Sequence, residues 1–557
     1  MSTTRPTHDN TADNTADNAI FLEVFWTRVR SAVNEAAKLI VRTSFSTLSS
    51  EANDFAVVMT DSQGQTIAEN AGAIPSFIGT LGNTVRAIIG AIGTQAMRDG
   101  DIYITNNPWI GTGHLNDVCL VKPIFHASQL VGFAATAGHV PDIGGKIRSV
   151  DARELFEEGF HIPPMHFLRE GQADATLLSL LRTNVRTPEQ TVGDIWCHAS
   201  ATELIARRVS DLLHEYRLTG VDDLAEALFS RSEQAMRAAI RALPDGEYRY
   251  GMDTDGFDEH FRFEVTVRIA DGALTCDFTG SSPQQPRAVN CVLAYTHAMT
   301  AYAIKSLLLP ELANNQGLFR PIQTVAPEGS LLNPLSPAPV GGRSCTGHYV
   351  PTTIFGALYP LLPERVMAGV GSPVWITNLT GRRANGKSFA NVLFYNGGMG
   401  ATHGKDGASV MSWPSNISPT PIEVAERDAP LRFLRKALLP DSGGTGQWRG
   451  GLGEEIQFVN QHEGPLNVVF LTERLKVAAP GLGGGDDGAP GAVWINGQPI
   501  NSRTPQVLQP GDVVTLRTPG GGGYGPAAAR SADAIARDRL LGYVSATDLP
   551  STAASAH

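Results

Sequence analysis

Apolar residues recur at helical spacing over 20–41 (Phe21, Val24, Phe25, Val29, Ala32, Ala36, Ile40), which predicts an amphipathic helix. Runs at 54–60 and 65–70 flank a glycine-containing turn and predict a β-hairpin. A second helix is expected over about 82–97, before the Asp99-Gly100 stop. Strands and glycine-rich turns follow, and 173–243 then reads as helical, with charges on one face and Leu, Ile and Ala on the other.

Beyond Pro244-Asp245-Gly246 the period shortens to that of strands, in FRFEVTVRI and LTCDFTG. One further helix is expected over 294–309. From Pro327 on, Gly and Pro are dense and strand-like pieces (PVWITNL, SFANVLFY, EEIQFV, LNVVFLT, AVWI, DVVTLRT) alternate with loops, before a short helix near 531–541. The fold class is therefore α+β, a large multi-lobed chain with mixed and antiparallel sheets. Its expected divisions are a disordered leader (1–19), an α+β domain (20–245), an α+β middle region (246–360), a Gly-rich β region (361–526), and a C-terminal helix and tail (527–557).

The 557 residues correspond to three or four domains at about 150 residues each, or to one large fold. The 58 Gly and 35 Pro favour turns and β-structure over a helical bundle. A net charge of −11, with aromatics at 7%, argues against nucleic acid or anionic membrane as partners. The five cysteines are scattered and never form C-x-x-C, which fits a reducing compartment and no thiolate zinc site. The leader repeats TADN and lacks a signal-peptide core, and no apolar run reaches membrane-spanning length, so a cytoplasmic location is expected.

Three nucleotide-loop patterns fail on context. Gly381-Arg-Arg-Ala-Asn-Gly-Lys-Ser388 matches the P-loop, but strands flank it on both sides, so Asn385-Gly386 reads as a hairpin tip. The G-x-G-x-x-G matches at 483–488 and 520–525 lack the strand–helix–strand unit that dinucleotide binding needs. They read as turns where backbones approach closely.

The informative region is 106–164. Residues 117–125 and 130–138 are apolar β-type runs joined by His126 to Gln129. Pairing Phe125 with Leu130 sets Asp117 against Gly138 and Asn116 against His139. This hairpin gathers His114, Asp117 and His139 at its open end, even if the register slips by one. Two imidazoles and a carboxylate there are a ligand set for a divalent metal such as Zn, Mn or Fe. Lone histidines are more often satisfied core or surface groups, so it is the convergence that carries the reading. Asp142 is a candidate to orient an imidazole, and Glu158 a candidate acid or base. His126 sits at the turn end and is excluded as a ligand.

The segments GTGHLNDV, GHVPDIGG and FEEGFHIPP resemble three consecutive signatures of the hydantoinase B/oxoprolinase family. The similarity continues through LLRTNVRTPEQTVGD, GSLLNPLSPAPV, LLPDSGGTGQWRGGLGEE, AAPGLGGGDDGAPG and TPGGGGYGP. The resemblance implies a metal site on His114, Asp117 and His139, with Asp54 of the early motif Ser50-Glu51-Ala52-Asn53-Asp54-Phe55 as a fourth ligand. Ala52 stands where members commonly carry Arg, and Phe77 where many have His. The resemblance also implies a hetero-oligomer with a hydantoinase A-type subunit that holds ATP and Mg and phosphorylates the substrate. This chain would then be the metal-bearing subunit of an ATP-dependent hydrolase of hydantoins, oxoproline or lactams. The alternative is an ATP-dependent ketone carboxylase of the acetone or acetophenone type. A third possibility is a scaffold with a structural metal, which the open His-Asp-His set argues against.

Overall fold

The computed structural model describes residues 18–372, 374–383 and 385–545. The expected leader lies outside these residues except for Asn18 and Ala19, as does the tail beyond 545. The first helix, α1 (Ala19–Thr43), is capped by the Asn18 side chain, which accepts from the amides of Ile20 and Phe21. Its apolar stripe (Phe21, Phe25, Val29, Ala36, Ile40) is buried.

A seven-stranded sheet follows, in the order β2-β1-β5-β4-β3-β6-β7. The strands are β1 (Phe55–Thr60), β2 (Thr66–Glu69), β3 (Ile102–Thr105), β4 (Asp117–His126), β5 (Gln129–His139), β6 (Met165–Arg169) and β7 (Gln172–Ala173). Helix α2 is shorter than the sequence predicts, Thr80–Ile92 instead of 82–97. Gly93, at φ 82°, stops it, and only a single 3-10 turn (Thr94–Ala96) continues toward Asp99-Gly100. The long helical stretch resolves into α3 (Ala175–Asn184), α4 (Pro188–Tyr216) and α5 (Asp222–Arg241). Helix α4 packs on β4 and β5 on one side and on α1 on the other. Helix α2 contacts the same two strands, and with both helices in place β4 and β5 are buried nearly end to end, as continuous apolar strands require.

The middle region forms a four-stranded sheet of order β11-β10-β9-β8: β8 (Gly246–Thr254), β9 (Phe261–Ala270), β10 (Ala273–Asp277) and β11 (Ile322–Val325). Helix α6 (Leu293–Leu308) coincides with the expected one to within a residue. One hydrophobic cluster runs from Leu48 to Leu471 and so joins this sheet to the first.

The Gly-rich part contains a four-stranded and a five-stranded sheet. The P-loop-like residues form a hairpin between β12 (Trp375–Arg382) and β13 (Ser388–Tyr395), with Arg382 paired to Ser388 and Gly386 at φ 79°. Among the described residues a strand, and not a helix, follows the loop. The two G-x-G-x-x-G runs lie in glycine-lined layers. Gly485 packs on Gly523, while Gly520 and Gly521 pack on the backbones of Ser442 and Met399. With all four sheets open and helices interspersed, the class is α+β. No helix among the described residues is long and apolar enough to cross a membrane.

A Cβ on Gly521 would overlap the Met399 carbonyl, whereas Gly386 has open space around it. Gly521→Ala is expected to cost more than about 3 kcal/mol or to abolish soluble folding, and Gly386→Ala about 1 kcal/mol through its φ alone. Unfolding midpoints in denaturant check both.

Candidate metal centre

The β4–β5 hairpin turns through Ala127 and Ser128, both at positive φ (46° and 64°), a two-residue geometry that suits the twist of the strands. Phe125 pairs with Leu130 as expected. A bulge then intervenes, because Ile124 pairs with Gly132 and Val131 is left over. This corrects the predicted register by one residue. Asp117 faces His139 itself, and Val118 faces Gly138. The bulge places Asp117 and His139 as direct cross-strand neighbours. His126 lies at the opposite end, paired with Gln129.

His114 precedes β4 in the glycine-rich GTGH turn, and its Nε2 lies 2.7 Å from Asp117 Oδ1. His139 Nδ1 lies 3.1 Å from the same oxygen. The ligand atoms of His114, Asp117 and His139 all lie within 4.8 Å of one another, and all three residues are buried. Asp54 stands close by, with its Oδ2 3.7 Å from His139 Nδ1 and its carbonyl accepting from the His139 amide at 3.0 Å. Burial pushes the Asp54 carboxyl upward.

The donor set fits a metal, and His114 shows why. Its Nδ1 faces the Gly341 carbonyl at 3.3 Å, while its Nε2 faces the Asp117 carboxylate. A neutral imidazole has only one N–H. Burial and the adjacent Arg343 charge hold His114 well below its usual pKa. One ring nitrogen therefore points a lone pair at an oxygen. A cation on Nε2 would remove that conflict and leave Nδ1–H to donate to the Gly341 carbonyl.

Asp142 does not reach an imidazole. It accepts from the Arg186 main-chain amide and from Arg186 Nη1 (2.6 Å), and its carbonyl accepts from Thr191. It anchors the loop after β5 to the start of α4. Glu158 Oε1 accepts from the amides of Val340 and Gly341 at 2.8 and 2.7 Å. Its Oε2 is buried with no partner among the described residues, and burial raises the carboxyl to about 7. Glu158 and His139 line one small cavity of about 20 Å³, together with Arg148, Asn378 and Asn391. A wider cleft of about 500 Å³ adjoins it, sharing Pro141, Ala390 and Asn391.

Sequence reasoning missed Arg343 and the Val340–Gly341 amides, which bond to Asp117 and Glu158, and Arg148, which lines the small cavity beside them. Arg343 and the two amides come from more than 180 residues away in the chain, and no local pattern marks them. Other residues in the resembling motifs serve structure. Asp194 accepts from Phe45 and Ser46, and Asp441 accepts from the Ser545 amide. Ala52 and Phe77 are wholly within the hydrophobic core.

Residues 18–527 match the family described as Hydantoinase B/oxoprolinase, and the chain belongs to that family. The B component of a putative D-/L-hydantoinase from Pseudomonas sp. (strain NS671) is 31% identical over 94% of this chain and 93% of its own length. The crystal structure of the ATP-dependent caprolactamase from Pseudomonas jessenii superposes with a TM-score of 0.86 at 26% identity, covering 94% of each chain. Nucleotide-free acetone carboxylase gives the same TM-score at 19% identity, over 96% of this chain and 79% of that one. At that identity the likeness is one of fold.

If the three-residue cluster holds a metal, purified wild-type protein contains about one equivalent, and His114→Ala and His139→Ala lose it with circular dichroism unchanged. Asp142→Asn, whose side chain is committed to Arg186, retains the metal. Elemental analysis of the four proteins is the check.

Proposed function

We propose that this chain is the ring-opening subunit of an ATP-dependent cyclic-amide hydrolase, working on a hydantoin, oxoproline or lactam already phosphorylated on its amide oxygen by a hydantoinase A-type partner. The observation that carries this reading is the buried His114–Asp117–His139 cluster beside a cavity that also holds the free oxygen of Glu158. The three nucleotide-loop patterns lie in a hairpin and in glycine layers, which supports placing ATP and Mg on the partner.

A divalent metal (Zn, Mn or Fe) held by His114, Asp117 and His139, with Asp54 beside them, would supply a Lewis acid at the hairpin end. The small cavity is sized for about one water, and the adjoining cleft for a small ring compound. Glu158 is poised near neutrality because burial opposes its charge while two amides still support the carboxylate. It can accept a proton from the attacking water and return it to the departing ring nitrogen. Arg148 Nε donates to the Gly341 carbonyl at 3.0 Å, which positions the guanidinium on the cavity wall. There it can face the negative charge that develops on the substrate.

The test is ATP-dependent ring opening by this chain together with its partner, with cyclic amides and ketones supplied in parallel and bicarbonate present or absent. Ring hydrolysis independent of bicarbonate is expected. ATP turnover that requires bicarbonate and a ketone would establish the carboxylase instead. Glu158→Gln is expected to slow ring opening by about 10²–10⁴-fold while leaving metal content unchanged. Equal activity in Glu158→Gln would remove Glu158 from the mechanism.

A further inference from the structure

Asp117 has two oxygens in different company. Oδ1 meets the two imidazoles, whereas Oδ2 accepts from Thr112 Oγ1 at 2.5 Å and from Arg343 Nη2 at 2.6 Å. Arg343 is itself fixed on three sides. Its Nε donates to the Thr112 carbonyl at 2.8 Å, its guanidinium lies 4.8 Å from the centre of the Tyr295 ring, and the side chain is buried. Its path depends on Gly113, which sits at φ 107°. A Cβ there would come within 2.7 Å of Arg343 Cδ. The chain around Arg343 also supplies the Gly341 carbonyl that faces His114 Nδ1, and the two amides that hold Glu158.

We infer that Arg343 is the positioning residue of the metal centre: it occupies Asp117 Oδ2 so that only Oδ1 is presented to a metal. The inference rests on the metal reading above. Two donors on Oδ2 stop the carboxylate from rotating or binding through both oxygens. The guanidinium also withdraws part of the carboxylate's charge, so a bound cation is less neutralised and polarises its other ligands more strongly. Thr112 completes the clamp. Arg343 itself touches neither cation nor substrate in this arrangement.

The experiment is Mn²⁺ titration of the full-length metal-free protein, followed by electron paramagnetic resonance, together with the visible absorption of the Co²⁺ form. Arg343→Gln is expected to weaken Mn²⁺ binding about 10–100-fold and to alter the Co²⁺ spectrum, because Asp117 is released. Arg343→Lys keeps the charge but not the fork, and is expected to recover part of the loss. Thr112→Val, with the arginine in place, is expected to give a smaller loss of the same kind.

Mn²⁺ affinities within about twofold of wild type in Arg343→Gln and Thr112→Val, with unchanged Co²⁺ spectra, would overturn the positioning role. If Arg343→Gln does not fold, Thr112→Val decides by the same criterion. Failure of the wild type to bind Mn²⁺ or Co²⁺ would overturn the metal reading itself, and the role of Arg343 with it.

Discussion

A carboxylate with no exposed surface has to be matched by positive charge and hydrogen bonds, and much of this protein's arrangement around the hairpin follows from that demand at Asp117. Burial alone would raise its pKa. The neighbouring His114 and Arg343 overcome that and hold it well below the usual carboxylate range. Removing one partner from such a group leaves uncompensated buried charge, which costs several kcal/mol. The hairpin end therefore cannot stand alone. It needs the segment around Arg343 packed against it, and that segment is held in turn by α6 and the middle sheet through the common core.

Glycine serves this packing in two distinct ways. At Gly113 it lets the chain turn at positive φ and leaves room for the arginine to reach Asp117. In the C-terminal half, Gly398, Gly451, Gly485 and Gly520 to Gly523 let backbones lie directly on one another, where any Cβ would collide with a carbonyl or an amide. A sequence so rich in glycine gives up backbone entropy in the folded state, and close main-chain hydrogen bonding between layers offsets it.

Much of the fold was legible because its signals are local. The stripe of α1, the alternation in β9 and the Asn385-Gly386 tip each span fewer residues than one element, and each was placed to within a few residues. Misplacements arose where one residue changes the geometry of its neighbours. Gly93 ended α2 early, and the bulge at Val131 moved the register by one, because the apolar run that includes it is buried on both faces and carries no alternation to reveal the shift.

The sequence by itself determined that two histidines and an aspartate would converge at one hairpin end. Strand pairing over some two dozen residues follows from apolar patterning and a turn, and a one-residue slip does not scatter the set. Tertiary structure alone decided what surrounds them. Asp142 was taken by Arg186, Glu158 was held by the amides of residues 340 and 341, and Asp117 was clamped by Arg343. Those partners lie 44 to 226 residues apart in the chain. Only the closing of the core brings them within hydrogen-bonding distance, and no periodicity in a sequence encodes a contact made at that range.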